Sequence, residues 1–338
     1  MAAAARAKLE RVPSGVNQVA DDGPTSDGAY QRWETDVAGF LDGKAVVVTG
    51  GGGGIGRAVA LACAGEGARV VVADIGVSMS GESPTSEVAE SVVKEITDAG
   101  GEAIPVADDV STMEGGARVV QAAVDRWGRI DGVVAVAGIL RERMLFNMNE
   151  DEWDPVVATH LKGHFTVFRA ASAIMRKQEG GGALIGFTSG AFAGSVAQAN
   201  YSAAKGGIVS LVRSAAAGLY RYGVTANAIA PIARTRMSAN VPQELEEMGD
   251  PEDVAPMVVY LLSDQARHIT GQVYTVVGSK IAVWNQPAEV RAVYTEGRWS
   301  PQEIAARLDS TVGVERLALI DRLEELRRAA GSGEKPNA

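Results

Sequence analysis

The 338-residue sequence predicts an α/β protein: a doubly wound parallel sheet flanked by helices, with a C-terminal helical extension. Three observations predict it. Short valine-rich runs recur between segments of helical periodicity, the pattern of strands covered on both faces by crossover helices. A glycine run, Gly50 to Gly54, directly follows the first of these strands. Pro105 lies in the third; proline cannot donate to a ladder, so that strand belongs at a sheet edge. Right-handed crossovers then favour the strand order 3-2-1-4-5-6.

The elements follow in order. Residues 1–38, rich in Ala, Gly, Asp, Ser and Pro and without sustained period, read as a tail. The main domain is expected over 39–280, an extension over 281–330 and a second tail over 331–338. A buried strand at 44–49 leads into a helix at about 54–66, and a second strand at 69–74 into a polar insert at 75–86. Val88, Val92, Val93 and Ile96 mark a helix that stops at Gly100-Gly101. The Pro105 strand spans 102–106, and Ser111 with Glu114 forms a capping-box signature for a helix ending near Gly128. A strand at 131–136 precedes a long helix capped by Asn149, whose apolar residues cover more than one face and imply burial on two sides. A strand at 183–187, a long helix at 201–222, a strand at 224–230, a helix near 253–262 and a strand at 272–277 close the domain. In the extension, Ser300 caps a helix with Pro301 at its first position and Glu303 reaching back. Leu319, Leu323 and Leu326 mark a second amphipathic helix.

Composition narrows the function. With 32 Lys and Arg against 42 Asp and Glu, the net charge of −10 argues against nucleic acid and against an anionic membrane surface as partners. No apolar run approaches the roughly 18 residues of a membrane span, and the first ten residues lack the apolar stretch of a signal peptide. Cys63 is the single cysteine, which excludes an internal disulfide and reads as packing; the expected compartment is the reducing cytoplasm. The expected partner is a small-molecule substrate.

The chemistry begins at Thr49-Gly-Gly-Gly-Gly-Gly-Ile-Gly56, between a strand and a helix. Gly50, Gly53, Gly54, Ile55 and Gly56 form a turn that lets a pyrophosphate approach the free N–H groups and positive dipole end of the helix. Asp74 ends the second strand, where a carboxylate accepts hydrogen bonds from an adenosine ribose. A 2′-phosphate would meet like charge there and no basic residue immediately follows, so the cofactor expected is NAD rather than NADP. Tyr201 and Lys205, four apart at the start of a helix, share one face. A phenol of pKa about 10 is too weakly acidic to act as a base at neutral pH, but a nearby ammonium and a positive nicotinamide ring favour phenolate. Tyr201 then takes the proton of an alcohol as hydride leaves.

Together these motifs resemble the short-chain dehydrogenase/reductase family, over about residues 40–280, with the Rossmann fold. The matching segments are the glycine motif, Asp109-Val110, Ala137-Gly138, Thr188-Ser189, Tyr201 with Lys205, and Pro231 through Thr235. The resemblance implies that Asp109 and Val110 approach the adenine and that Ala137 and Gly138 line the cofactor. It implies that Pro231, Ile232 and Thr235 belong to the segment holding the nicotinamide amide. It also implies a serine polarising the substrate oxygen. Spacing from Tyr201 points to Thr188 for that role, whereas the local Ser-Gly-Ala pattern points to Ser189, which is preferred. Two departures stand out. Ala135-Val136 replace two asparagines usual after the fourth strand, and His160 stands where the family often carries a catalytic Asn.

Within the family, Gly138 to Arg143, Asp151-Glu-Trp153, His160 to Gly163 and Gln198 to Lys205 are similar to the (3R)-hydroxyacyl-CoA dehydrogenase domains of peroxisomal multifunctional enzymes type 2. These carry His at the place of His160, so His160 joins Ser189, Tyr201 and Lys205 as a catalytic candidate. The resemblance implies oxidation of a secondary alcohol, such as a 3-hydroxyacyl-CoA or hydroxysteroid, by a homo-oligomer, a tetramer or dimer. A ketone reductase of other small molecules and a catalytically silent NAD(H) sensor are the competing readings; the presence of both Tyr201 and Lys205 disfavours the sensor. His160 and His164 lack an intervening Glu and an evident third ligand, so no metal is expected.

Overall fold

The structure is a computed structural model and describes residues 39–76, 86–235, 248–314 and 317–332. The expected tail at 1–38, most of the insert at 75–86 and the last residues of the chain lie outside the described residues. Strands β1 (Ala45–Thr49), β2 (Arg69–Ala73), β3 (Glu102–Val106), β4 (Gly132–Ala135), β5 (Gly182–Phe187), β6 (Val224–Pro231), β7 (Val273–Val277) and β8 (Lys280–Val283) form one sheet. Its order is β3-β2-β1-β4-β5-β6-β7-β8. All neighbours pair in parallel except β7 and β8. Pro105 sits on the edge strand β3, as its missing N–H requires.

The helices are α1 (Gly54–Gly65), α2 (Glu87–Asp98), α3 (Met113–Trp127), α4 (Glu150–Val157), α5 (Gly163–Met175), α6 (Ala199–Leu219), α7 (Pro251–Leu262), α8 (Pro301–Arg307) and α9 (Ala318–Ser332). Strand alternation divides the valines between two cores. Val46, Val48, Val70 and Val72 pack with Val59 of α1, Val92 of α2 and Val258 of α7. Val47, Val71 and Val133 pack on the other face with Val119 of α3, Val167 of α5 and Ile208 of α6. Cys63 is fully buried in the first core, and burial pushes its thiol up to about 12, as expected of a packing residue.

Three elements differ from expectation. Thr112, not Ser111, caps α3, its hydroxyl accepting from Gly115 N–H at 3.0 Å. Ser111 instead donates through both its N–H and its hydroxyl to the Asp109 carboxylate. The long helix after Asn149 is divided into α4, a π turn at Ala158–Lys162, and α5. Pro155 lies inside α4 and has no N–H to give the carbonyl of Asp151 four residues back. The Arg141 guanidinium donates to that carbonyl instead. Finally, β8 adds an antiparallel edge strand, so the region after residue 280 begins inside the sheet. Just beyond it, the Trp284 indole donates to Thr275 Oγ1 at 2.8 Å and packs edge-on against Phe192 at 4.5 Å.

Candidate active site

The carboxyl ends of β1, β2 and β4 converge on a cleft of about 400 Å³. At its floor, Gly50 adopts φ +67°, and a Cβ there would come within 2.8 Å of Ala137. A Cβ on Gly56 would stand 2.0 Å from the Gly50 carbonyl, so the turn closes onto α1 only with glycine. Thr49 ties this turn to the neighbouring strand: its hydroxyl accepts from Val136 and Ala137 N–H at 3.2 and 3.3 Å. The glycines Gly50, Gly53, Gly54 and Gly56, with Ile55, line the cleft. These backbone amides at a helix start, in a space that a Cβ would fill, fit a dinucleotide pyrophosphate.

The other residues expected to hold the cofactor divide into two groups. Asp74, Asp109, Val110, Ala137, Gly138 and Thr235 line the same cleft. Pro231 and Ile232 do not; Ile232 N–H donates to the Val276 carbonyl and extends the β6–β7 pairing. Asp74 accepts from Gly52 N–H at 2.9 Å with one oxygen and from Gly76 N–H at 2.7 Å with the other, which fixes the carboxylate at the cleft wall.

Ser189, Tyr201, Lys205 and His160 lie together just beyond the cleft lining, behind Gly138. A Cβ on Gly138 would stand 2.1 Å from the His160 ring. That ring meets Tyr201 edge-on, with centroids 5.1 Å apart. Lys205 Nζ lies 5.3 Å from the Tyr201 ring centroid and donates to the Phe187 carbonyl at 2.6 Å. Burial pushes the Tyr201 phenol up, and a hydrogen bond from Ser189 works against that. Lys205 is only 4% exposed, and desolvation brings its ammonium down to about 7.

The two adjacent hydroxyls are used differently. Thr188 donates to the Lys205 carbonyl at 2.8 Å, which holds α6 against the end of β5. Ser189 faces Tyr201 and receives Ala191 N–H at 3.3 Å.

His160 Nε2 faces the Ile139 carbonyl at 2.8 Å. A carbonyl only accepts, so Nε2 carries the ring proton. Nδ1 is buried with no hydrogen-bond partner. Burial, and then the Lys205 charge, hold His160 well below its ordinary value. Burial brings His164 down to about 3. Among the described residues, no three His, Cys, Asp or Glu side chains converge as a metal site.

Two positioning features escaped the sequence reading. Asn200 is wholly buried, and its amide donates to the Arg141 and Glu152 carbonyls at 2.9 and 2.7 Å, fixing the start of α6 against α4. Ala197, three residues earlier, takes φ +59°, and its carbonyl accepts from Arg143 N–H at 2.8 Å. Neither spacing nor periodicity signals a partner so far away in sequence.

Known proteins are similar to this chain in sequence and fold. The family profile described as enoyl-(acyl carrier protein) reductase matches residues 50–278. A short-chain type dehydrogenase/reductase of Mycobacterium tuberculosis is 42% identical over 239 residues, covering 70% of this chain and 83% of that one. Hydroxyacyl-CoA dehydrogenase ChsB1 of the same organism is 41% identical over 284 residues, covering 79% of this chain and 88% of that one. Peroxisomal multifunctional enzyme type 2 of Mus musculus is 42% identical over 232 residues; the match covers 68% of this chain and 31% of that longer protein. The crystal structure of a short chain dehydrogenase from Mycobacterium avium gives a TM-score of 0.75 at 48% identity, covering 82% of this chain and 97% of that one. The chain belongs to the short-chain dehydrogenase/reductase family and is an oxidoreductase, of a family that works with NAD(P).

The buried histidines set a pH dependence. The folded value of His164, about 3, lies below the unfolded value of about 6.5, so the unfolded chain binds the extra proton and stability falls as pH drops through that window. Between pH 7 and 5 this ring alone costs roughly 2 kcal/mol, and His160 acts in the same direction. Urea unfolding at the two pH values checks this; equal stabilities would contradict neutral, buried rings.

Proposed function

We propose that the chain is a cytoplasmic NAD-dependent dehydrogenase that oxidises the secondary alcohol of a 3-hydroxyacyl-CoA thioester to the ketone. The observation that carries this reading is the cluster of Tyr201, Ser189 and Lys205 behind Gly138, at the end of a glycine-floored cleft. The acyl-CoA class rests on relatives named for hydroxyacyl-CoA and multifunctional peroxisomal enzymes. Hydroxysteroids are the second class to test.

In this mechanism the glycine turn and the start of α1 hold the pyrophosphate, Asp74 the adenosine ribose, and Asp109 and Val110 the adenine side. Bound NAD supplies the hydride acceptor, and its positive ring favours phenolate. Ser189 donates a hydrogen bond to the substrate oxygen. Tyr201 takes the hydroxyl proton as the C–O bond gains double-bond character, and the Lys205 ammonium stabilises the resulting charge distribution. In the opposite direction Tyr201 returns the proton to the forming alkoxide. The ketone-reductase reading is this reverse step, applied to other small molecules.

The decisive experiment follows NADH formation over 3-hydroxyacyl-CoA esters, hydroxysteroids and simple alcohols. Tyr201→Phe is expected to remove most turnover while leaving NAD affinity nearly unchanged, and survival of activity within about tenfold would remove the base from Tyr201. On the same substrate, Ser189→Ala is expected to lower turnover about ten- to a hundred-fold, the equivalent of roughly 1.5–3 kcal/mol of hydrogen bonding to a developing charge. Thr188→Val should do much less, because its hydroxyl is committed to the Lys205 carbonyl; the reverse ranking would transfer the role.

Cofactor choice follows from Asp74. NAD should bind more tightly than NADP, and Asp74→Ala should narrow the gap, as titration of both cofactors would show. A native preference for NADP would refute the charge argument.

Assembly follows from exposed apolar surface. Trp153 of α4 is 36% exposed and Phe165 of α5 is 44% exposed. We read this helix face as a subunit contact in a homotetramer. Light scattering on active protein should give four times the chain mass; a dilute, active monomer would exclude the assignment.

A further inference from the structure

His164 is buried to 1% exposure and belongs to neither the cleft lining nor a metal cluster. Both of its ring nitrogens are nevertheless engaged. Nδ1 lies 2.6 Å from the His160 carbonyl, in the π turn one helical turn back. A carbonyl accepts and does not donate, so Nδ1 carries the proton and Nε2 is left as an acceptor. Phe187 N–H donates to that Nε2 at 3.0 Å. Phe187 is the last residue of β5, and β4 pairs with this strand only as far as Gly186. The Phe187 carbonyl has Lys205 Nζ in place of a further strand, at 2.6 Å. A continuous polar line therefore runs from the His160 carbonyl through the His164 ring to Phe187 and on to Lys205.

We propose that His164 is a positioning residue of the catalytic centre: its neutral ring is a strut between the π turn bearing His160 and the strand end whose carbonyl seats Lys205. The proposal rests on Tyr201 and Lys205 being the working pair. The ring suits a strut because it is engaged at both ends: Nδ1 by the His160 carbonyl, and Nε2 by Phe187 N–H, where the Ala135 carbonyl at the end of β4 also approaches the ring. With a value of about 3, the ring stays neutral throughout the neutral range. Without it, the end of β5 loses its tie to α5, and the seat of Lys205 opens to water. The titratable groups packed around Lys205 are Tyr201 from its own helix, His160 from the π turn and His164 from α5.

Two half-replacements separate the arms of the strut. In His164→Asn the side-chain amide reaches the Nδ1 position and serves the His160 carbonyl. In His164→Gln it reaches the Nε2 position and serves Phe187 N–H. The first readout needs no substrate. Lys205 sits at about 7 in the folded protein and about 10.4 unfolded, so between these values the unfolded chain holds the extra proton. The folding equilibrium constant then rises with pH, by up to about tenfold per unit, and Lys205→Met marks how much of the rise belongs to the lysine. Urea unfolding from pH 7 to 10 should show H164Q keeping that rise and H164N losing most of it. The second readout is turnover: H164N should lower kcat about tenfold or more with NADH affinity within about threefold, and H164Q should stay near wild type. Should H164N fail to fold, His164→Phe, which fills the volume with neither polar atom, replaces it. An unchanged pH rise in the variant lacking the Phe187 arm, or equal losses in both variants, overturns the proposal. If the enzyme reading itself fails and no turnover is found, the pH readout still decides the strut.

Discussion

A lysine ammonium held almost dry against a backbone carbonyl is the constraint around which the site is arranged. Among the described residues no carboxylate pairs with Lys205; the Phe187 oxygen, the Tyr201 ring and the walls of α5 and α6 make up its setting. Removing an ammonium from water is unfavourable, and burial alone brings this one down to about 7. Such a group persists only where the surrounding elements leave it no other conformation. Thr188 bonding the Lys205 carbonyl and Asn200 bonding the carbonyls of two other segments provide that rigidity at the start of α6.

The glycines have the complementary task. Where Lys205 needs close walls, the cofactor side needs backbone without side chains. Gly50 and Gly56 let the turn fold onto itself, while Gly138 gives its Cβ space to the His160 ring. Gly138 thus borders the proposed catalytic cluster as much as the cleft. The two halves of the site meet through a single missing side chain.

Much of this architecture was legible in the sequence because it rests on local patterns. Continuous valine runs, covered on both faces, marked the strands, the glycine turn marked the helix start, and Pro105 marked the edge. Tyr201 and Lys205 were legible because four residues of helix bring them to one face. What was not legible depends on particular side-chain contacts, some local and some distant in sequence. Thr112 rather than Ser111 became the cap because Asp109 took both donors of Ser111. The break in the helix after Asn149 depends on Pro155, on Arg141 arriving from a separate loop, and on a π turn whose His160 ring reaches the Ile139 carbonyl beyond β4. β8 lacked a signal of its own, since four residues of mixed polarity gain strand character only by pairing with β7.

The packing of Trp284 on Phe192 joins the last sheet edge to the short helical turn that opens at Ser189. The indole is also hydrogen-bonded to Thr275 in β7, so its position is referenced to the sheet rather than to a surface loop. The hydroxyl next to Tyr201 therefore takes its bearings from residues almost a hundred positions downstream. The segment after residue 280 thus packs on the turn that carries Ser189, and a change of sequence at the sheet's far edge bears, through two aromatic rings, on the hydroxyl proposed to hold the substrate oxygen.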